Sequence, residues 1–224
     1  MKKFKKLINL IEIDIFKTIY FNFHYLKFRD AIKFPVIIYR QSLLLDTRGR
    51  VEFNCKIRTA MIRIGKHGLG TRDVSYDRTI WQCTGNIVFN GSASIGRGSR
   101  ISVEGQLILG EGFCITGAST IIAKKSVTFG KNCLVSWDVL VMDTDFHRIY
   151  DFDKVEINKP KDILIGDHVW IGCRNVILKG VSICNDTVIA ANSTITKSVT
   201  EENTIVGGAG KEQQILKKKI TWEQ

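Results

Sequence analysis

Four histidines occur in the 224 residues, at positions 24, 67, 147 and 168. Only His147 stands in a setting that suggests chemistry, the run Asp143-Thr144-Asp145-Phe146-His147. A neutral imidazole, with an ordinary pKa of about 6.5, can take a proton from an attacking hydroxyl near neutral pH. If the run is extended, alternation puts Asp143, Asp145 and His147 on one face. Asp145 is then the preferred carboxylate to fix the imidazole tautomer and steady the imidazolium, leaving Asp143 for substrate hydroxyls. The competing reading is a solvated acidic loop with an incidental histidine. His168, two residues before Trp170, is expected at solvent or a subunit boundary, and His24 and His67 have no motif around them.

Other chemistry-bearing residues are more ambiguous. Six cysteines (55, 83, 114, 133, 173 and 184) form no C-x-x-C pair and read as thiols buried in a reducing compartment. Zinc catalysis wants three converging histidines, and His147 and His168 stand 21 apart with no close His pair, so no metal is expected. Trp170 reads either as packing or as the wall of a groove. Ser136-Trp137-Asp138, one strand before the acidic run, is candidate lining for an acceptor pocket, with Trp137 and Asp138 as the substrate-binding candidates. Lys197, Lys211 and Lys217-Lys218-Lys219 could neutralise phosphates, although a charge run near a C-terminus is commonly just a solvated face. The stretch Gly207 to Lys211 is no P-loop: Ile205 stands where its first glycine is needed, and Glu212 where Ser or Thr should bind magnesium.

The elements that must position these residues announce themselves by period. Apolar residues recur every six positions: Phe89, Ile95, Ile101, Leu107; then Leu109, Ile115, Ile121, Val127; then Phe129, Val135, Val141. After an interruption the ladder resumes from Ile165 through Ile171, Ile177, Ile183 and Ile189 to Ile195. Glycine follows the ladder residue at Gly96, Gly110, Gly130, Gly166 and Gly172. Six residues of α-helix turn through about 600°, so a helix cannot keep this period on one face. Short parallel strands joined at tight corners, three per coil, can, with small residues permitting the turns. The chain therefore reads as an all-β solenoid of stacked coils, with poorer coils beginning near Val51 and Ile62, Ile64, Ile80 and Ile87 as their candidates. Residues 143–162 interrupt it as a protruding polar loop, the kind of excursion that carries function.

The expected organisation is a basic amphipathic segment at 1–50, the solenoid at 51–206, and a tail or short helix at 207–224. Charge follows this division. Residues 1–70 hold 15 Lys/Arg and 5 Asp/Glu, net +10, whereas residues 71–224 hold 18 and 17, net +1. Phe4, Leu7, Ile8, Ile11, Ile15 and Ile19 recur at helical spacing behind Lys2, Lys3, Lys5 and Lys6. Such a helix suits an anionic membrane surface, or a cap on the solenoid or a neighbouring subunit. Nucleic acid is a poor fit, since the basic segment holds no binding motif. With no cleavable signal visible and Glu12, Asp14 and Lys17 interrupting the apolar stretch, the expected location is cytoplasmic, or peripheral on the cytosolic face of a membrane.

Taken together, the hexad ladder, the Asp143 to His147 run, Val169-Trp170-Ile171-Gly172 and the run Val188 to Lys197 resemble the left-handed β-helix acyltransferases of the hexapeptide-repeat family. The likeness covers about residues 60–211 and is strongest to sugar O-acetyltransferases, of both the maltose/galactoside and the surface-polysaccharide types. The resemblance implies a left-handed parallel β-helix, a homotrimer with sites between adjacent subunits, and acetyl-CoA lying along the coils. By matching position it implies His147 as catalytic base, with Trp170, Ala191, Ser193, Thr196 and Lys197 along the CoA groove. The family usually ends its coils with Gly-Asn-Pro-Ala-Lys; here Gly207-Gly208-Ala209-Gly210-Lys211 lacks the proline, which loosens the match of Lys211 to a phosphate-contacting role. The function so implied is acetyl transfer from acetyl-CoA to a hydroxyl of a sugar or lipid-linked glycan. N-acetylation of an amino sugar would use the same base, and a non-catalytic β-helix scaffold would bind no CoA.

Overall fold

The computed structural model describes residues 12–66, 70 and 76–223. The sequence positions Phe4, Leu7, Ile8 and Ile11, the lysines before them, and His67 lie outside the described residues. From Val36 onward the chain winds as a left-handed β-helix through three faces in rotation, with nine strands on the first, seven on the second and six on the third among the described residues. Successive coils pair in parallel, with ladder residue beside ladder residue. Ile95, Ile115, Val135, Ile171 and Ile189 stack on the nine-strand face. Ile101, Ile121, Val141, Ile177 and Ile195 stack on the seven-strand face. Phe89, Leu109, Phe129, Ile165 and Ile183 stack on the six-strand face. All are buried, each contributing about 1.5–3 kcal/mol by leaving water. This explains the period: each strand turns alternate residues inward, and with one strand per hexad the same inward position recurs every six residues.

The glycine beside the ladder has a different origin from the turn flexibility its position suggests. Gly110 is not in the left-handed region, but a Cβ on it would stand 2.1 Å from the Gly130 carbonyl oxygen of the next coil. Stacked corners approach too closely for a side chain. Glycine here answers to the neighbouring coil more than to its own backbone.

The sequence reading needs correcting at both ends. The first coil is built from Val36–Ile38, Ser42–Asp46 and Arg50–Phe53, each paired in parallel with the coil after it, so the solenoid starts at Val36 and not at Val51. Its inward residues depart from the hexad, which hides it from a periodicity search. In the next coil Ile80 lies on the outer side and its neighbour Trp81 fills the core. At the other end no C-terminal α-helix forms among the described residues. A single 3₁₀ turn, Gly210–Glu212, leads into the strand Gln214–Lys218, which runs antiparallel to Thr204–Gly207. The last coil would otherwise leave a row of unpaired backbone groups, and this strand occupies them.

The opposite open edge is closed by helix α1, Ile15–Tyr25, followed by the short α2, Phe28–Ala31. Asp14 caps α1 by accepting the Lys17 N–H at 3.0 Å. Thr18 and Asn22, one turn apart on its inner side, act as surrogate strand partners. Asn22 donates to the Val36 carbonyl at 2.8 Å and accepts the Val36 N–H at 3.1 Å; the Thr18 hydroxyl accepts the Ile38 N–H at 3.0 Å. Phe21 inserts beside them against Trp81 with ring centroids 5.2 Å apart. Among the described residues, no helix is long and apolar enough to cross a membrane.

Candidate active site

The protruding loop leaves the seven-strand face after Leu140–Met142 and rejoins the six-strand face at Ile163–Ile165. In the coils before it, the corner amides at this edge bond to the backbone of the next coil: Glu104 and Gly105 N–H to the Ala123 carbonyl, Gln106 N–H to that of Lys125. Where the loop departs, those carbonyls are missing. Asp143 replaces them, its carboxylate accepting the N–H groups of Lys124, Lys125 and Ser126 at 2.8, 2.7 and 2.8 Å. Its side chain is fully buried, so Asp143 closes the rung and does not face a substrate, contrary to its expected role.

The expected one-sided array of Asp143, Asp145 and His147 does not form, because Phe146 takes a left-handed φ of 61° and breaks the alternation. The turn is tight: Phe146 N–H donates to the Thr144 hydroxyl at 3.0 Å and His147 N–H to the Asp145 carbonyl at 2.7 Å. The Asp145 carboxylate points at other partners than the imidazole. It accepts from the Lys179 ammonium and from the Asn158 amide, the latter at 2.9 Å. Those two donors, Lys179 first, hold its carboxyl below the ordinary carboxylate pKa.

Asn158 and Lys179 were not singled out by sequence, yet they organise the loop. Asn158 donates to the His147 carbonyl at 2.8 Å and accepts the Ile149 N–H at 2.6 Å, and Lys179 donates to the Asn158 carbonyl at 2.7 Å. An isolated bridge between Tyr150 and Glu156 turns the tip back on itself. The segment is thus a small clasped hairpin. Its only sequence signal was an amide within an otherwise acidic and basic stretch. His147 itself is exposed, and among the described residues its ring has no hydrogen-bond partner within the chain.

His147 opens onto a cleft of about 480 Å³ between the loop and the preceding coil. Lys124, Lys125, Arg148 and Lys159 line it against a single carboxylate, Glu156. Lys125 pairs with Asp162 at 3.1 Å, Arg148 lies 3.9 Å from Glu156 and Lys124 4.0 Å from Glu104, which leaves Lys159 as the positive charge to spare among the described residues. An exposed base beside a basic recess can activate a hydroxyl on an anionic molecule.

The remaining candidates divide between edges of the prism. Thr196 and Lys197 share the edge of the loop, two coils further on, but their N–H groups are both taken at 3.0 Å by the Gln213 side-chain carbonyl. Gln213 thereby does for the last coil what Asp143 does at the loop. Lys211 is exposed beside it in the 3₁₀ turn. Trp137, Asp138, Ala191 and Ser193 lie on the other edge, between the nine- and seven-strand faces. Trp137 and Asp138 are therefore not in the His147 cleft of the same chain. The buried Ser193 hydroxyl is spent within the fold, donating to the Ala190 carbonyl and accepting the Gly208 N–H. Trp170 points outward from the nine-strand face, its indole N–H on the Ser136 hydroxyl at 3.1 Å. Trp222 from the C-terminal tail, which sequence reasoning passed over, stacks on His168 at 4.1 Å and lies 5.9 Å from Trp170. His168 is held from its other side by Asp186 at 2.8 Å and has a structural setting. Among the described residues, no three His, Cys, Asp or Glu side chains converge as a metal site would require.

Comparison with known proteins adds to this geometry. Residues 162–197 match the bacterial transferase hexapeptide (six repeats) model. The chain is 33% identical over 138 residues, 61% of its length, to a polysialic acid O-acetyltransferase of Escherichia coli O1:K1, and 42% identical over 65 residues, 29% of its length, to the polysialic acid O-acetyltransferase of Neisseria meningitidis. These stretches span 42% and 30% of the two relatives, so the chain matches less than half of either. The crystal structure of the polySia-specific acetyltransferase NeuO superposes with a TM-score of 0.51 at 25% identity, covering 85% of this chain and 79% of that one.

Proposed function

From a left-handed β-helix that carries the bacterial transferase hexapeptide repeat and resembles sugar O-acetyltransferases, we propose that this chain is an acetyl-CoA-dependent O-acetyltransferase acting on a sugar or lipid-linked glycan hydroxyl. The observation that carries the reading is His147, exposed on a clasped loop at the mouth of a basic cleft. The acceptor hydroxyl, far too weak an acid to ionise at neutral pH, gives its proton to the neutral imidazole as its oxygen attacks the thioester carbonyl. The tetrahedral intermediate collapses by breaking the carbon–sulfur bond. The imidazolium returns the proton to the departing thiolate, and acetylated acceptor and CoA thiol leave. Lys124, Lys125, Arg148 and Lys159 favour an acidic glycan in the cleft, in keeping with relatives named for polysialic acid.

Replacing His147 by Ala is expected to lower acetyl transfer by about 10²–10⁴-fold while calorimetric CoA binding survives. Turnover retained in that variant would sink the assignment of the base. Loss of CoA binding in the unaltered protein would favour a scaffold.

The reading extends to a homotrimer. Trp170, Ala191, Trp137 and Asp138 stand off the His147 edge within one chain, and an adjacent copy could bring its own set to that edge as the wall of a shared CoA groove. Lys211, at the loop edge, would meet CoA phosphate. Thr196 and Lys197 would contribute side chains, since Gln213 holds their amides. Peripheral attachment to the cytosolic face of a membrane, carried by the N-terminal segment, belongs to the same proposal.

A further inference from the structure

We infer that the outer face of α1 and α2 is the surface on which the chain seats against an anionic lipid membrane, a deepening that rests on the peripheral attachment just proposed. Helix α1 carries two apolar stripes, and the solenoid uses only one. Thr18, Phe21 and Asn22 are buried against the first coil. On the opposite side Ile15, Phe16, Ile19 and Phe23 fall at successive turns, and the stripe continues into Phe28 and Ile32. Phe16 is 86% exposed and Phe28 72%. The inner stripe alone closes the first strand's edge, and among the described residues nothing else covers the outer one, which leaves it for another occupant. Contiguous apolar surface of this kind on a soluble domain marks an interaction site.

Charge identifies the occupant. Phe28 stands between Lys27 and Arg29, both exposed and without an ion pair among the described residues, whereas Lys17 and Lys33 are neutralised by Asp14 and Asp30. An aromatic ring flanked by two cations outside any ion pair matches the boundary between acyl chains and anionic headgroups. Residues 12–66, with 11 Lys/Arg against 5 Asp/Glu and so net +6, give that end of the molecule the matching long-range field. A protein partner would have to combine a greasy surface with acidic charge, which an anionic bilayer does by composition.

The test uses the full chain and sedimentation with phosphatidylcholine vesicles, with and without phosphatidylglycerol. The unaltered protein should sediment with the anionic vesicles and be released by salt. A Phe16→Asp, Phe28→Asp double variant, altered only at exposed rings, should bind them at least tenfold more weakly. Its circular dichroism, elution volume and acetyl transfer to a soluble glycan acceptor should be unchanged. If the double variant binds as the unaltered chain does, another segment makes the contact and the assignment of this face falls, while attachment itself stands. An unaltered chain that ignores anionic vesicles overturns both. A fall in oligomer mass on substitution would assign the face to a second copy of the chain and overturn the lipid reading.

Discussion

Asp143 and Asp145, two residues apart, show how position within a coil decides what a carboxylate can do. Asp143 stands where the chain leaves the solenoid, and three backbone N–H groups of the preceding coil have no other acceptor there. Hydrogen bonds to an ionised acceptor are stronger than neutral ones. Asp143→Ala should therefore cost about 2–4 kcal/mol in urea unfolding, through stranded buried donors. Asp143→Asn, which keeps an acceptor oxygen, should cost markedly less. If Asp143 contacted the acceptor sugar instead, the Asn variant would lose turnover at unchanged stability. Asp145, held by Lys179 and Asn158, fixes the loop that presents His147, so under the proposed mechanism it would act on that imidazole through the backbone. Its lowered pKa means that this tie is made above the ordinary carboxylate range and is released as pH falls through the depressed value.

At the scale of elements, the solenoid's problem is its two ends, because parallel coils leave an open edge at each. Helix α1 resolves one end with side chains in place of a strand. Asn22, fully buried, satisfies both polar groups of Val36, so Asn22→Ala should lower unfolding stability by about 2 kcal/mol or more, measured by denaturant titration. A change near zero would mean that water replaces the amide and that α1 is a loosely held appendage. The strand Gln214–Lys218 resolves the other end, with Gln213 accepting the last corner's amides. Both caps use amide side chains to imitate backbone, and neither imitation has a periodic signature. That is why the first coil and the C-terminal strand escaped the hexad pattern that made the middle coils legible.

For the whole molecule, the distribution of candidate residues over two edges of one prism bears on assembly. If the site is shared between copies, mixing His147→Ala with Trp170→Ala protein after reversible dissociation should restore activity that neither variant has alone. Random reassociation around a closed ring would rebuild up to about one quarter of the sites. A mixture no more active than its parts would place base and indole in one chain's site, or leave Trp170 without a role. The molecule is also polarised along its axis. Among the described residues the excess charge lies at the α1 end, while the basic cleft at His147 sits several coils away, so the proposed attachment and the proposed chemistry would be separated.

The sequence by itself determined the solenoid, its ladder residues and the excursion at 143–162, and it singled out His147 for the proposal. These are local or strictly periodic properties, and a six-residue apolar repeat admits few other folds. Only the tertiary structure decided what the other polar groups do. Whether Asp143 faces solvent or three amides depends on residues 17–19 positions away. Whether Asp145 meets an imidazole or Lys179 depends on the next coil. In a stacked solenoid the partners of any corner residue lie one coil above or below, where hydrogen bonds form across the stack and leave no mark on the spacing of the chain.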